Sequence, residues 1–523
     1  MSSRAIARST LWQMASQITM AALSIVTVKL VATALSKELA GEYNSAYGYL
    51  QIFGILADFG LYAVAVREVS RATDRVAVLG SLIVLRAAVL AVSLGAALLF
   101  VWILPAWRGT PLPPSVSIAA LVPFFTLLAG ILRTVFQVHY ALHYVFIAEV
   151  AQRVLTVGAA VAVVASGARG SDDPAVLFLL LLSGGAGAAL LFGLSVLFAS
   201  RLMRVRPHWH GPTIRRLLRM AAPYGLAFLC TALYRQFDVT MIALLRPADY
   251  DIQNAYYGFV QRMMDMAYLL PTFLLNSALP ILSERHAKGE DVRGLLGKTL
   301  LTTLLIGSTA LLFAALWSRP LMELLTHETY LSTAERPGSD TALRLLSVSM
   351  FWNALITYAF YVLLTRHAWK ALVACLAGAA VLSICLNALL IPEAGFVGAA
   401  RTSVVTHALL AACLLPLSLR ALPARMTGRQ FGQWAAYTVL LGAGLLLAAP
   451  ALTSSPATAA GLALAGGFLR PLPGGPGPPP GPAGGGRGGG GPPPPRGGGG
   501  VSCYNDRIST QTLCTRCPVR CSR

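Results

Sequence analysis

A chain of 523 residues that is 56% hydrophobic and only 12% charged, with a mean hydropathy of +0.66, is excluded from the soluble globular class, where about a quarter of residues are charged. Its formal net charge of +20 would suit a nucleic-acid partner, but Lys and Arg sit in short segments between apolar blocks. That is the charge pattern of an inner-membrane protein, and no nucleic-acid partner is expected.

The apolar blocks are each near the ~20 residues that cross ~30 Å of hydrocarbon. Inside a bilayer they must be helices, because the backbone has to satisfy its own hydrogen bonds. The alternation over about ten residues that marks a transmembrane barrel is absent. In chain order the predicted helices lie at about 10–35, 43–66, 76–104, 115–137, 144–166 and 174–200. Past the basic stretch 201–219 they continue at about 217–245, 253–282, 295–325, 343–364, 370–391, 397–417 and 431–447. A fourteenth starts near Pro456 and stops short of a span. No cleavable signal peptide is expected, since the first apolar block is long and lacks a small-residue cleavage site.

The expected fold is all-α and polytopic. An N-terminal lobe of six helices (1–200), a cytoplasmic linker (201–216) and a C-terminal lobe of six helices (217–419) enclose a central cavity. Helix 13 and the aborted helix 14 (420–468) follow. The lobes are expected to be repeats: Ala46-Tyr47-Gly48-Tyr49-Leu50-Gln51 opens predicted helix 2, and Tyr256-Tyr257-Gly258-Phe259-Val260-Gln261 opens predicted helix 8. An even number of helices lies between them, so the repeats share one orientation and are related by an axis along the membrane normal.

Basic residues set the orientation. With the N-terminus in the cytoplasm, the cytoplasmic loops hold Arg67, Arg71 and Arg75, the Arg201–Arg219 stretch, Arg285 to Lys298, Arg366 and Lys370, and Arg420 to Arg429. The acidic segment from Glu323 to Asp340 falls outside. This distribution follows the positive-inside rule. Trp102, Trp107, Trp209, Trp317, Trp369 and Trp434 lie near helix ends, as interfacial anchors do.

Residues 469–523 change character: Gly, Pro and Arg dominate from Leu469 to Gly500, a composition that forms neither helix nor core. Loss of reading frame in a GC-rich gene accounts for it, with a disordered cytoplasmic tail as the alternative. Cys514-x-x-Cys517 with Cys521 lacks the spacing of a zinc site, and no metal is expected. Cys230, Cys375, Cys385 and Cys413 read as small helix residues.

Ionisable residues at membrane depth are the functional candidates. Arg235 and Asp238 are three apart on predicted helix 7, and Arg262 and Asp265 are three apart on predicted helix 8. At ~1.5 Å per residue both pairs fall ~15 Å below the outer helix ends, near the midplane. Arg235 and Arg262 are expected to hold an anionic group of the substrate, each positioned and neutralised by its neighbouring Asp, which could also couple ion binding, and a purely structural charge network is the alternative. Asp58 is expected to face the cavity from the other lobe, and Arg86 to contact a phosphate or an acidic neighbour. Glu149 and Arg153 are spaced for a local i,i+4 ion bridge. No P-loop, HExxH, GxSxG or carboxylate cluster on a long loop is present, so a transporter without cofactor is expected rather than an enzyme.

The ordered strings Ala40-Gly41-Glu42-Tyr43, Leu56-Ala57-Asp58-Phe59-Gly60-Leu61, Leu233-Tyr234-Arg235-Gln236-Phe237-Asp238 and Asn387-Ala388-Leu389-Leu390-Ile391-Pro392, then Gly395-Phe396-Val397-Gly398, resemble the polysaccharide-biosynthesis flippases (Wzx type) of the multidrug/oligosaccharidyl-lipid/polysaccharide exporter superfamily. The resemblance covers about residues 5–450. It implies transport of a polyprenyl-diphosphate-linked oligosaccharide across the bacterial inner membrane by alternating access. An H+ or Na+ gradient would drive it, with membrane lipids and other polysaccharide-assembly proteins as partners. A lipid II flippase, a multidrug antiporter and an envelope polymerase or ligase are the competing readings.

Overall fold

The computed structural model describes residues 3–452, apart from 59, 62, 63, 66, 67, 70, 71, 73, 205, 288, 289 and 367. The tail 469–523 and the start of the predicted fourteenth helix lie outside the described residues. Among those described the secondary structure is helical, with a single isolated bridge between Leu35 and Ser171.

The first helices are α1 (Ser3–Ala34), α2 (Lys37–Asp58) and α3 (Arg75–Ile103). Asp74 starts α3 by accepting from the Ala77 amide, which satisfies one of the free N–H groups of the first turn. The next apolar block is two helices, α4 (Leu112–Ala119) and α5 (Leu121–Val138), meeting at Ala120. Then come α6 (His143–Ala165) and α7 (Pro174–Leu202), the latter opened by an Asp173 cap and Pro174 in the first turn. Beyond the basic stretch lie α8 (Gly211–Gln236), α9 (Asp238–Leu245) and α10 (Tyr250–Ala287). The chain finishes with α11 (Arg293–Leu316), α12 (Ser318–Leu325), α13 (Ser339–Thr365), α14 (Trp369–Ala421) and α15 (Gly428–Leu452).

Three predicted helices are broken. The apolar run 217–245 divides at Phe237, the run 295–325 divides at Trp317, and the fourth span carries the junction at Ala120. Only the junction at Ala120 lies in an unbroken apolar run; Arg235-Gln236-Phe237-Asp238 and Trp317-Ser318-Arg319-Pro320 place polar residues, and in the second case a proline, at the other two. The long run α14 is two arms meeting at Gly395, whose φ of 56° is left-handed and favours glycine. This matches the expected division between predicted helices 11 and 12.

Nine helices among the described residues are long and apolar enough to cross a membrane. Helices α2 and α10 are not among them, because they carry Glu42, Asn44, Ser45, Asn254, Gln261, Arg262 and Asp265. Those polar groups face protein instead of lipid. Residues up to 202 pack largely among themselves, with α1 on α6, α5 and α6 on α7, and α2 on α3 and α4. Residues from 211 do likewise, with α13 against α10, α11 and α14, and α8 against α14. The joint between these groups is α2 against α10, flanked by α8 and α9. Helix α15 lies at the margin on α11, held by hydrogen bonds from Trp317 to the Leu445 carbonyl and from Trp434 to Ser308.

Candidate functional site

The α2/α10 joint begins with a polar zipper. Tyr250 donates to Glu42 at 2.7 Å, Asn254 donates to Ser45 at 2.9 Å, and Asn44 donates to the Asn254 carbonyl at 3.2 Å. Lys37 reaches the Tyr256 hydroxyl at 3.0 Å. Backbones approach so closely here that a Cβ on Gly41 would collide with the Asp251 carbonyl oxygen. In a medium without water such bonds are retained because the alternative is an unmade hydrogen bond. Nearby, Lys29 donates to the Thr326 carbonyl and His327 meets Thr33 at 3.1 Å. At the opposite end Leu61, Val64 and Ala65 pack on Leu217 and Ala221, and Glu68 pairs with Arg216 at 3.0 Å. Contacts among the described residues cross the joint at both ends.

Between these contacts lies a cationic site. Tyr43 and Tyr47 are one turn apart on α2, their rings 4.8 Å apart. The Arg262 guanidinium of α10 lies over both, at 4.9 and 5.3 Å from the ring centroids. Arg153 of α6 interacts electrostatically with the same two tyrosines and with Arg262. Neither arginine forms an ion pair with a carboxylate among the described residues, and the buried Nε of Arg153 has no hydrogen-bond partner. Aromatic faces compensate a guanidinium only in part, by about 0.5–2 kcal/mol. Two such cations near each other concentrate positive charge at this point of the joint.

The expected local bridge between Glu149 and Arg153 does not form. Glu149 accepts instead from Arg133 at 3.0 Å and from Ser16, which frees Arg153 for the tyrosines. Both partners are remote in sequence, so spacing within one helix did not reveal them.

The remaining candidates sort into separate groups. Arg235 pairs with Asp265 across α8 and α10 at 3.0 Å and lies 4.9 Å over the Tyr268 ring. Asp238 touches neither arginine: its carboxylate accepts from Tyr257 at 2.6 Å and from Asn387 at 2.7 Å, and it sits in the first turn of α9. A helix N-terminus favours that negative charge. The expected pairing of each Arg with the Asp three residues on is therefore replaced by one cross-helix pair.

Asp58 and Arg86 meet at 2.6 Å. Arg86 also donates to the carbonyls of Ala57, Asp58 and Leu127, so its guanidinium is engaged in tying the end of α2 to α3 and α5. Reasoning from sequence missed the seam residues Tyr43, Tyr47 and Tyr250, whose signal was the polar content of helices otherwise long enough to span.

The all-helical, polytopic fold is similar to those of known membrane transporters. Similar solved structures include a lipid II flippase, MurJ, in an inward closed conformation, with a TM-score of 0.62 at 13% identity over 84% of this chain and 97% of that one. An inward-facing multidrug resistance MATE family transporter of the MOP superfamily gives 0.57 at 11% identity, over 79% and 98%. A MOP superfamily transporter from Pyrococcus furiosus, described as having a binding pocket of reverse polarity, gives 0.54 at 11% identity, over 80% and 95%. Residues 6–286 match the family described as "Polysaccharide biosynthesis protein". The chain belongs to that family. No curated protein sequence matches it.

Proposed function

We propose that the chain is a flippase for a polyprenyl-diphosphate-linked oligosaccharide, such as an O-antigen or other surface-polysaccharide repeat unit. It carries this cargo from the cytoplasmic to the periplasmic leaflet of the bacterial inner membrane. Residues 1–200 and 217–419 act as two lobes that rock about the α2/α10 joint, with the N-terminus in the cytoplasm. An H+ or Na+ gradient drives the cycle.

The observation that carries the reading is the unpaired cation site of Arg153 and Arg262 over Tyr43 and Tyr47. A diphosphate crossing hydrocarbon needs cations at mid-depth, and the guanidinium presents a planar fork matched to phosphate oxygens. A cationic drug would meet repulsion here, which weighs against a multidrug antiporter. A lipid II cargo shares the diphosphate and differs in its head group.

The test is complementation of a strain lacking its oligosaccharide flippase, scored by surface polysaccharide, with the amount of protein in the membrane fraction checked. Each charge-assisted hydrogen bond is worth about 1.5–3 kcal/mol, so Arg262→Gln and Arg153→Gln should each lower transport by roughly 10-fold or more. Arg262→Lys keeps the charge, loses the fork and should be impaired less. Normal polysaccharide from the doubly substituted protein at normal abundance would place the phosphate site elsewhere.

A further inference from the structure

The first turns of α8 border a cavity that the charges at mid-depth leave unused. Gly211, Pro212, Arg215, Arg216, Arg219 and Met220 line a space of about 600 Å³, within the range of ligand pockets. Arg215 and Arg219 are one turn apart and Arg216 is adjacent, so three guanidinium groups border one space. Arg216 is offset by Glu68 at 3.0 Å. Arg215 and Arg219 are exposed and pair with no carboxylate among the described residues. The cavity therefore keeps the positive charge of both. Farther along the same helical face lie Pro223 and Leu226, four and seven residues past Arg219, and both are exposed. Cations followed by apolar surface along one face suit a lipid whose head carries phosphate. This place is distinct from the Arg153–Arg262 site. Gln261 donates to the Arg235 carbonyl at 2.9 Å, which sets the neighbouring Arg262 at the depth of Arg235. Arg219 precedes Arg235 by sixteen residues, ~24 Å along α8.

We propose that this cavity is a docking site for a diphosphate-headed lipid, occupied by the cargo before it enters the α2/α10 joint. Arg215 and Arg219 hold the diphosphate, and the apolar chain lies along Pro223 and Leu226. The assignment to the cargo rests on the flippase reading and the orientation given above. Charge selects the diphosphate. A diphosphate diester carries two negative charges, which the two unpaired arginines match, whereas a bilayer phospholipid such as phosphatidylglycerol carries one. Each guanidinium can bond two phosphate oxygens at once, which a point charge cannot. Position favours the same cargo. Arg216 borders the cavity and also reaches Glu68, and Leu217 beside it packs with Leu61, Val64 and Ala65. A head held by Arg215 and Arg219 therefore waits next to the contacts that must part for it to enter the joint.

The test measures binding of farnesyl diphosphate, a short polyprenyl diphosphate, to full-length protein in phosphatidylcholine nanodiscs. Arg153→Gln/Arg262→Gln protein serves throughout as the parent, so that the site in the joint does not contribute. Adding Arg215→Gln/Arg219→Gln should raise Kd by about 10-fold or more. Arg215→Lys/Arg219→Lys keeps the charge, loses the forks and should raise it less. Arg201→Gln/Arg204→Gln removes two arginines of the same basic stretch that do not line the cavity, and should leave Kd within about two-fold. An unchanged Kd in the folded Arg215→Gln/Arg219→Gln protein overturns the proposal. So does an equal loss in Arg201→Gln/Arg204→Gln, which would make the effect one of general charge. Leu226→Gln should weaken farnesyl diphosphate several-fold and leave inorganic pyrophosphate unaffected; equal effects on the two overturn the placement of the chain. Phosphatidylglycerol mixed into the nanodiscs should compete weakly. Competition as strong as that of added farnesyl diphosphate would give the cavity to bilayer phospholipids and overturn its assignment to the cargo. Absence of any binding overturns the docking site, while complementation by the Arg153 and Arg262 variants still decides the flippase reading.

Discussion

Arg86 and Arg262 are both intramembrane arginines, and their surroundings give them opposite roles. Arg86 is 2% exposed, paired with Asp58, and bound to three carbonyl oxygens. Removing one partner of a buried pair leaves the other uncompensated and costs about 3–5 kcal/mol. Arg86→Gln should therefore reduce the amount of folded protein, read as monodisperse material in detergent and as a lowered melting temperature. Arg262→Gln removes a cation with no carboxylate partner, so folding should be unaffected or improved while transport falls. The reverse pattern would exchange the roles assigned to the two residues. Sequence spacing located the intramembrane charges but not their partners. Glu149 and Arg153 satisfied a local rule and are nonetheless separated, because Arg133 and Ser16 come from elsewhere in the fold.

Among the elements, α2 and α10 carry the most consequence. Their polar residues were visible in the sequence, and the strings Ala46–Gln51 and Tyr256–Gln261 had already set them in corresponding places. What one sequence could not show is that the two helices face each other. Gly41 makes that contact possible, since a side chain there would strike the Asp251 carbonyl. Gly41→Val should open this end of the joint. A cysteine placed at the buried Ser45 should then react with a membrane-impermeant maleimide several-fold faster than in the otherwise unaltered chain. Equal reaction rates would mean that the close approach does not govern opening. At the other end, Glu68 and Arg216 form a pair whose arginine is largely exposed, of the kind that contributes about 0–1 kcal/mol. Leu217 lies in the apolar cluster beside it. Leu217→Ala should loosen this closure more than Glu68→Gln, by the same cysteine test at Ala65.

For the whole molecule, the class was the most legible feature. Blocks of membrane-spanning length and sparse charge define a polytopic helical protein whatever their partners, and the break at Gly395 was marked by the neighbouring Pro392. The breaks at Phe237 and Trp317 fall inside runs read as single spans, although Arg235-Gln236-Phe237-Asp238 and Ser318-Arg319-Pro320 interrupt the apolar pattern there. Composition alone sets the expectation for residues 469–523: a Gly- and Pro-rich segment cannot bury a core. A chain ending at Phe468 should insert and transport as the full chain does, checked by membrane abundance and surface polysaccharide. Loss of either on truncation would give the tail a structural role.

The central claim is that the Arg153–Arg262 site receives the diphosphate of a lipid-linked oligosaccharide. Its most direct test is flipping of a fluorescent polyprenyl-diphosphate oligosaccharide in proteoliposomes, with the unaltered protein beside Arg153→Gln/Arg262→Gln at equal density and verified folding. Loss of about 3 kcal/mol or more of phosphate binding predicts that the double variant flips at less than roughly a hundredth of the unaltered rate. Flipping at the unaltered rate by the double variant would contradict the account.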